Sequence, residues 1–211
     1  MKDIPPPLDD LKYVQNWVQE RVSQKRFGHI VGVAHTAKKL AQRFSKDHEL
    51  AYKAELAGWL HDACKEIKDK ELVEQAKKYG LHLEPVEEEN GHLLHGPVAA
   101  QFVKHTFGLE DQDILNAMAE HTLGAINMTL LSKIVFIADA IEPGRPAEYA
   151  DPIRKPIKIG SVSDPILSLD KAILVACQSS LDYLAQVGKA IHPRTVAVRD
   201  HYLKICQSKV I

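Results

Sequence analysis

The sequence predicts an all-α protein that folds as one helical bundle. Three observations support this fold class. Apolar residues recur at three- and four-residue spacing in stretch after stretch, which is typical of amphipathic helices. Glycine and proline follow several of these stretches and mark their ends. No five-residue segment alternates between apolar and polar residues beside a hairpin turn, and no internal repeat is present.

The first three predicted helices lead up to a histidine–aspartate pair. Apolar spacing predicts helices over 8–23 and 27–44, and His29 lies in the first turn of the second. Asp47 is well placed as the N-cap of a third helix, which ends at His61-Asp62.

Helices and loops alternate through the rest of the chain. Gly80, Gly108 and Pro143-Gly144 are stop signals for three further helices. The elements that we expect, in chain order, are a surface helix over 69–79, a polar loop over 82–92, helices over 95–107, 111–121 and 129–141, an irregular stretch over 143–165, a long helix over 169–187 and a last helix from Pro193. An irregular stretch this long is usually functional or mobile.

Length and composition predict one soluble cytoplasmic domain, 1–211, with a core over about 20–145 and C-terminal helices over about 165–207 packing on it. The net charge of −1 provides no basic field for nucleic acid or an anionic membrane. No uncharged apolar stretch reaches about 18 residues, and the first residues lack the apolar core of a signal peptide. Three cysteines without a CxxC motif fit a reducing compartment.

The pair His61-Asp62 is the most informative feature of the chain. With His29 and Asp139 it gives the order His…His-Asp…Asp, a set of nitrogen and oxygen donors of the kind that holds a hydrolytic metal. A carboxylate at the end of an apolar helix has to be paired or to bind a metal, because burying it alone costs too much. Since the intervals are long, a surface pair or a helix-end feature is the alternative.

Further polar residues could act on a phosphate near such a metal. Lys65 follows His61-Asp62 by one helical turn and could supply a charge. His95 begins a helix and His121 ends one, so each could equally satisfy backbone groups at a helix end. Arg145 follows a helix stop and could clamp a phosphate with two hydrogen bonds or face solvent.

These residues resemble the HD-domain metal-dependent phosphohydrolases, and most closely their YqeK-type branch, the symmetrical dinucleoside-tetraphosphate hydrolases. The resembling stretches, in the family's order over about residues 20–205, are Arg26-Phe27-Gly28-His29, Leu60-His61-Asp62-Ala63-Cys64-Lys65, His95-Gly96-Pro97-Val98-Ala99, Glu120-His121-Thr122-Leu123-Gly124, Ile137-Ala138-Asp139-Ala140-Ile141-Glu142-Pro143-Gly144-Arg145, Asp170-Lys171-Ala172 and Ile191-His192-Pro193-Arg194-Thr195. The Ile-Glu-Pro-Gly-Arg block with a downstream His-Pro-x-Thr is the most specific part.

The resemblance implies an all-helical HD bundle that hydrolyses diadenosine tetraphosphate to two ADP. The metal ligands that it implies are His29, His61, Asp62 and Asp139. Iron is the first choice, and manganese, zinc and cobalt suit the same donors. The catalytic residues that it implies are Asp62, Lys65, His95 and His121. The residues expected to bind the dinucleoside polyphosphate, or an ADP-like nucleotide, are Arg26, His29, Asp62, Lys65, His95, His121, Thr122, Asp139 and Arg145. A homodimer is expected, with no nucleic-acid or membrane partner.

The chain departs from the family pattern at several positions. Gly28 stands where an acidic residue is common, and Thr122-Leu123-Gly124 replaces the commoner Thr-Thr-Gly and removes one hydroxyl near the substrate. Segment 146–165 is longer and richer in proline and lysine than expected, and it is the departure that bears on substrate preference. Two other functions stay open: a nucleotidase or nucleotide pyrophosphohydrolase of the HD type that acts on mononucleotides, and a nucleotide sensor without catalysis. The intact set of ligands argues against the sensor.

Overall fold

A computed structural model describes residues 8–159 and 165–208. Its elements, in chain order, are α1 Leu11–Gln19, α2 Gln24–Phe44, α3 His48–Leu60, α4 Asp69–Lys78, α5 Pro85–Glu89, a 3-10 helix Gly91–Leu94, α6 His95–Phe107, α7 Gln112–Glu120, α8 Leu130–Ile141, α9 Ala147–Ile159, α10 Pro165–Gln186 and α11 Pro193–Ser208. All the regular elements of these ranges are helical, which confirms the all-α fold class. No helix within them is long and apolar enough to cross a membrane.

Helices α2, α3 and α8 form the centre of the bundle, and each packs against the other two. Their apolar side chains are buried at helical spacing, as with Ile30, Val33 and Ala37 of α2. Helix α7 packs on α3, α6 and α8, whereas α9, α10 and α11 pack on one another in sequence and reach the core through α8. Helix α8 therefore contacts both the helices α2, α3 and α7 and the C-terminal helices α9 and α10.

Two glycines allow helices to approach closely next to histidines. A Cβ atom on Gly58 of α3 would lie 2.6 Å from the backbone of Ala34 in α2. A Cβ atom on Gly96 of α6 would lie 2.8 Å from the Met118 carbonyl oxygen in α7. Both distances are too short for any side chain, so glycine permits these two helix contacts.

The N-terminal helices confirm one expected cap and correct one boundary. The Asp47 carboxylate accepts a hydrogen bond from the Glu49 backbone N–H, as expected for the N-cap of α3. The first helix, predicted over 8–23, ends at Gln19. The reason is a local competition, because the Ser23 hydroxyl accepts a hydrogen bond from the Arg26 N–H and begins α2 earlier than predicted.

The prediction of a polar loop over 82–92 is wrong. This segment contains α5 and the 3-10 helix. Pro85 occupies the first turn of α5, where its missing N–H costs nothing, and the Glu87 carboxylate accepts a hydrogen bond from the Glu84 N–H at 2.9 Å. Glu87 is buried, whereas His82, Glu84, Glu88 and Glu89 stay exposed, so one carboxylate of the segment turns inward.

The irregular stretch predicted over 143–165 is also wrong over most of its length, because α9 fills 147–159; residues 160–164 lie outside the described ranges. The helix forms despite Pro152 and Pro156 in its interior. Ile153 and Ile157 are buried on its inner face, and the Arg154 guanidinium donates hydrogen bonds to the carbonyl oxygens of Ile141 and Glu142 at the end of α8. Tertiary contacts thus outweigh the local cost of the prolines.

Candidate metal centre

Three parts of the bundle bring the four predicted metal ligands to one point. His29 lies near the start of α2, His61 and Asp62 directly follow α3, and Asp139 lies in the last turn of α8. The Nε2 atom of His29 is 2.9 Å from Asp139 Oδ1 and 3.6 Å from Asp62 Oδ2. The Nε2 atom of His61 is 3.9 Å and 3.5 Å from the same two oxygens. Two nitrogens and two oxygens therefore surround one small space.

These donors fit a metal cation. The Nε2 atoms of His29 and His61 are buried and make no hydrogen bond of acceptable geometry within the described residues. Nδ1 of His61 donates to the Gly58 carbonyl oxygen at 2.7 Å, and Nδ1 of His29 donates to the Glu142 carboxylate at 3.1 Å. With both Nδ1 atoms protonated, both Nε2 lone pairs point into the space, as in metal-binding histidines. Such a donor set suits iron, manganese, zinc or cobalt.

Glu142 is the residue of the site that the sequence did not single out. Its carboxylate is buried and accepts hydrogen bonds from His29 Nδ1 and from the Gly144 backbone N–H, the latter at 2.5 Å. It therefore fixes the orientation of the His29 ring. Its place in the Ile141-to-Arg145 block was the available signal, but nothing local indicated that the side chain turns inward.

The two aspartates of the site are held ionised by their neighbours. Burial alone would raise the pKa of Asp62, but the electrostatic attraction of the neighbouring His61, His121 and His95 rings holds it well below its ordinary value. For Asp139, burial is again opposed, here by the close approach of His29 and the charge of Arg145, and the pKa is lowered. Both carboxylates are therefore available as anionic ligands.

A second group of side chains surrounds the other oxygen of Asp62. His95 Nε2 lies 3.2 Å and His121 Nε2 lies 3.6 Å from Asp62 Oδ1. The two Nε2 atoms are 2.9 Å apart, and the Thr122 hydroxyl lies 3.1 and 3.0 Å from them. His61, Asp62 and His121 form a second set whose ligand atoms lie within 4.8 Å of one another, beside the set of His29, His61 and Asp139.

Three histidines of the site are oriented by the same local contact. Each donates its Nδ1 hydrogen to the carbonyl oxygen three residues earlier: His61 to Gly58 at 2.7 Å, His95 to His92 at 2.5 Å and His121 to Met118 at 2.7 Å. Each ring therefore satisfies a backbone group at a helix end and directs Nε2 into the site. For His95 and His121, the helix-end contact is present, and the same contact leaves Nε2 of each ring directed into the site.

Two cations lie along the entrance. The Arg26 guanidinium donates to Asp62 Oδ2 at 2.9 Å, and the Arg145 guanidinium donates to Asp139 Oδ1 at 2.7 Å. Arg145 also donates to the Asp139 backbone carbonyl oxygen at 2.7 Å, so it does not simply face solvent. The Lys65 ammonium group lies 3.3 Å from Nε2 of His95. Burial lowers the pKa of Lys65.

All the residues predicted for the site meet in this one region. They are Arg26, His29, His61, Asp62, Lys65, His95, His121, Thr122, Asp139 and Arg145. Within the described residues, no hydrogen bond or ion pair joins the downstream His192-Pro193 block to any of them. Its histidine is buried at the start of α11, with Nε2 3.3 Å from a Glu87 oxygen.

Comparisons of the sequence with known proteins agree on one family. The HD domain family matches residues 26–144. The symmetrical bis(5'-nucleosyl)-tetraphosphatase of Staphylococcus aureus is 32% identical over 193 residues, which are 92% of this chain and 94% of the relative. The protein of the same name from Bacillus subtilis is 34% identical, over 84% of this chain and 89% of its own.

A solved structure shares both sequence and fold with the chain. It is the crystal structure of a predicted HD superfamily hydrolase involved in NAD metabolism from Clostridium acetobutylicum. The two chains are 31% identical and superpose with a TM-score of 0.82, covering 92% of this chain and 97% of that one.

Proposed function

This chain belongs to the HD domain family, and on that premise we propose that it hydrolyses dinucleoside tetraphosphates, such as diadenosine tetraphosphate, symmetrically to two nucleoside diphosphates. The observation that carries the proposal is the convergence of His29, His61 and Asp139 with Asp62, which faces two distinct groups of side chains with its two oxygens. Relatives of the same name that cover most of the chain supply the substrate class.

His29, His61, Asp62 and Asp139 are proposed to hold the metal. Iron is the first candidate, and manganese, zinc and cobalt are compatible with the same donors. A bound metal ion supplies a water of lowered pKa, and hence a hydroxide nucleophile near neutral pH. Because Asp62 stays ionised, it is the proposed acceptor for the proton of the attacking water.

His95 and His121 are proposed to manage the proton of the leaving group. Two nitrogen lone pairs cannot face each other at 2.9 Å, so one proton belongs between their Nε2 atoms in the metal-free site. Burial lowers the pKa of His95 to about 4, so this ring by itself holds a proton only weakly. The His95–His121 pair is then the proposed donor to the departing diphosphate, with the Thr122 hydroxyl 3.0 Å from Nε2 of His121.

Lys65, Arg26 and Arg145 are proposed to neutralise the polyphosphate. Phosphoryl transfer depends mostly on positioning and on charge stabilisation, so cations at the entrance are as important as the nucleophile. Arg26 and Arg145 already pair with Asp62 and Asp139, and they can exchange part of these contacts for phosphate oxygens.

Product analysis of the purified protein tests the proposal. Diadenosine tetraphosphate is supplied with added iron or manganese, and nucleotide products are separated. ADP as the sole product, lost in an Asp62→Ala variant, is the expected result. ATP with AMP would mean that the cut is asymmetric. Binding without turnover would favour the alternatives, and assays with mononucleotides would then separate a nucleotidase from a sensor.

A further inference from the structure

A groove runs along the outer face of α2 and ends at the metal centre. It has a volume of about 830 Å³, within the range of pockets that hold nucleotide-sized ligands. Its lining on α2 includes Lys25, His29, Thr36 and Lys39, which share one face of the helix. Residues 143–146, including Arg145, form part of the opposite wall. We refer to this feature as the α2 groove.

The α2 groove contacts one side of the site only. His29, Glu142 and Arg145 line it, whereas Lys65, His95 and His121 do not. A ligand centred on Asp62 and Asp139 that extends over His95 and His121 would therefore leave the groove free. A ligand with a second, equal half on the other side of the metal centre could fill both.

The charges in the groove favour a phosphate-containing ligand. Lys25 and Lys39 are exposed and have no ion pair among the described residues. The two acidic residues of the lining are already engaged: Glu66 accepts hydrogen bonds from the Ser23 N–H and hydroxyl, and the Glu142 carboxylate accepts from His29. Arg26 and Arg145 add two further cations near the metal centre.

The groove is kept open beside His29 by a glycine that the fold does not require. A Cβ atom added to Gly28 would meet no atom within 4 Å. Glycine inside a helix is less favourable than alanine, so Gly28 is not there for helix stability. Gly28 directly precedes His29, and the open space lies where a ligand would leave the metal centre.

We propose that the α2 groove binds one nucleoside diphosphate half of the substrate. The other half lies on the side of His95 and His121, and the scissile bond is between the two halves. This inference rests on the proposed function, because symmetrical cleavage requires a place for two equal halves. Lys25 and Arg145 contact the diphosphate. The nucleoside extends along α2 towards His35, Thr36 and Lys39, over about 15 Å of helix from His29.

A groove that binds a nucleoside half should distinguish two substrates with the same four phosphates, whereas a general phosphate site should not. Hydrolysis of diadenosine tetraphosphate consumes one water and releases two ADP. Adenosine 5'-tetraphosphate has the same four phosphates and, cut at the same bond, takes one water and releases ADP and pyrophosphate, but it lacks the second nucleoside. The test compares kcat/KM for these two substrates in the metal-loaded wild type and in variants of the groove.

Lys39→Glu removes a contact with the nucleoside half, and Thr36→Trp fills the groove without changing charge. Each variant should lower kcat/KM for diadenosine tetraphosphate by about tenfold. For adenosine tetraphosphate the loss should be at most about twofold, because this substrate can place its one nucleoside on the other side. Lys46→Glu is the matched control: it makes the same charge change at an exposed position outside the groove and should alter neither substrate.

Equal losses on both substrates, or no loss on either, would overturn the assignment of the groove. Failure of the proposed function looks different, since the wild type itself would then release no ADP from either substrate, and the inference would fall with it. Circular dichroism of each variant confirms that the fold is retained.

Discussion

The two sides of Asp62 balance their charges in different ways. On the carboxylate side, Asp139 and Glu142 face His29 and Arg145, so that fixed charges of both signs alternate. On the histidine side, His95 and His121 meet Asp62 Oδ1, and no second carboxylate approaches them within the described ranges. The carboxylate side opens to the α2 groove, whereas His95 is 1% and His121 4% exposed.

The difference separates two tasks within one site. Fixed anions with ring nitrogens aimed between them are suited to holding a cation of constant charge. Buried histidines that share a proton are suited to moving that proton, because the dry surroundings make the proton's position depend on a few neighbours. Asp62 belongs to both sides through its two oxygens, so a substitution there acts on both sides at once, whereas substitutions elsewhere act on one.

Replacement of the shared aspartate should have the largest effect. Asp62→Ala removes a metal ligand and the partner of His95 and His121 together, so activity should fall on the order of 10³-fold or more. Metal content after dialysis should fall as well, measured by elemental analysis. Asp182→Ala, at an exposed position on α10, is the control. Full metal content with full activity would show that Asp62 serves neither side.

On the histidine side, a side chain added at the close contact of α6 with α7 should lower the free energy of unfolding. In Gly96→Ala, the new Cβ atom would lie 2.8 Å from the Met118 carbonyl oxygen and 3.0 Å from the His121 ring. Overpacking of this kind typically costs about 1–3 kcal/mol in the free energy of unfolding. Urea unfolding measures this loss. Gly28→Ala, whose Cβ atom meets nothing within 4 Å, should instead be neutral or stabilised, and an equal loss in both variants would contradict the role of the close contact.

The carboxylate side should respond through metal affinity rather than through folding. Glu142→Gln keeps the shape of the side chain but removes the charge opposite His29 Nδ1. Loss of such an outer partner typically weakens metal binding about 10- to 100-fold. A competition titration with a chelator measures this change. Glu148→Gln, exposed at the start of α9, makes the same chemical change elsewhere, and equal metal affinities for the two variants would assign Glu142 a packing role only.

What the sequence predicts well here is local, and what it misses is tertiary. The Asp47 cap and the all-helical class follow from neighbouring residues, and both are found in the fold. Helix α9 was missed because the prolines are visible in the sequence, whereas the contacts of Arg154 with the end of α8 are not. Glu142 was missed for the same reason. The predicted site residues do converge, because each lies at or near a helix end where a short motif is recognisable.

The histidine side should also show the smallest effect, a pH dependence of stability in the metal-free protein. Burial lowers the pKa of His95 from 6.5 to about 4. Between these values the unfolded chain binds more protons than the folded chain, so the folded state loses stability as the pH falls. From pH 6.5 to 5.5, His95 should contribute a loss of about 1 kcal/mol. Urea unfolding at the two pH values measures it, and His95→Gln should have a correspondingly flatter dependence. If the free energy of unfolding changes equally with pH in the variant and the wild type, groups other than His95 cause the loss of stability in acid. Burial of His95 would then not disfavour its protonation.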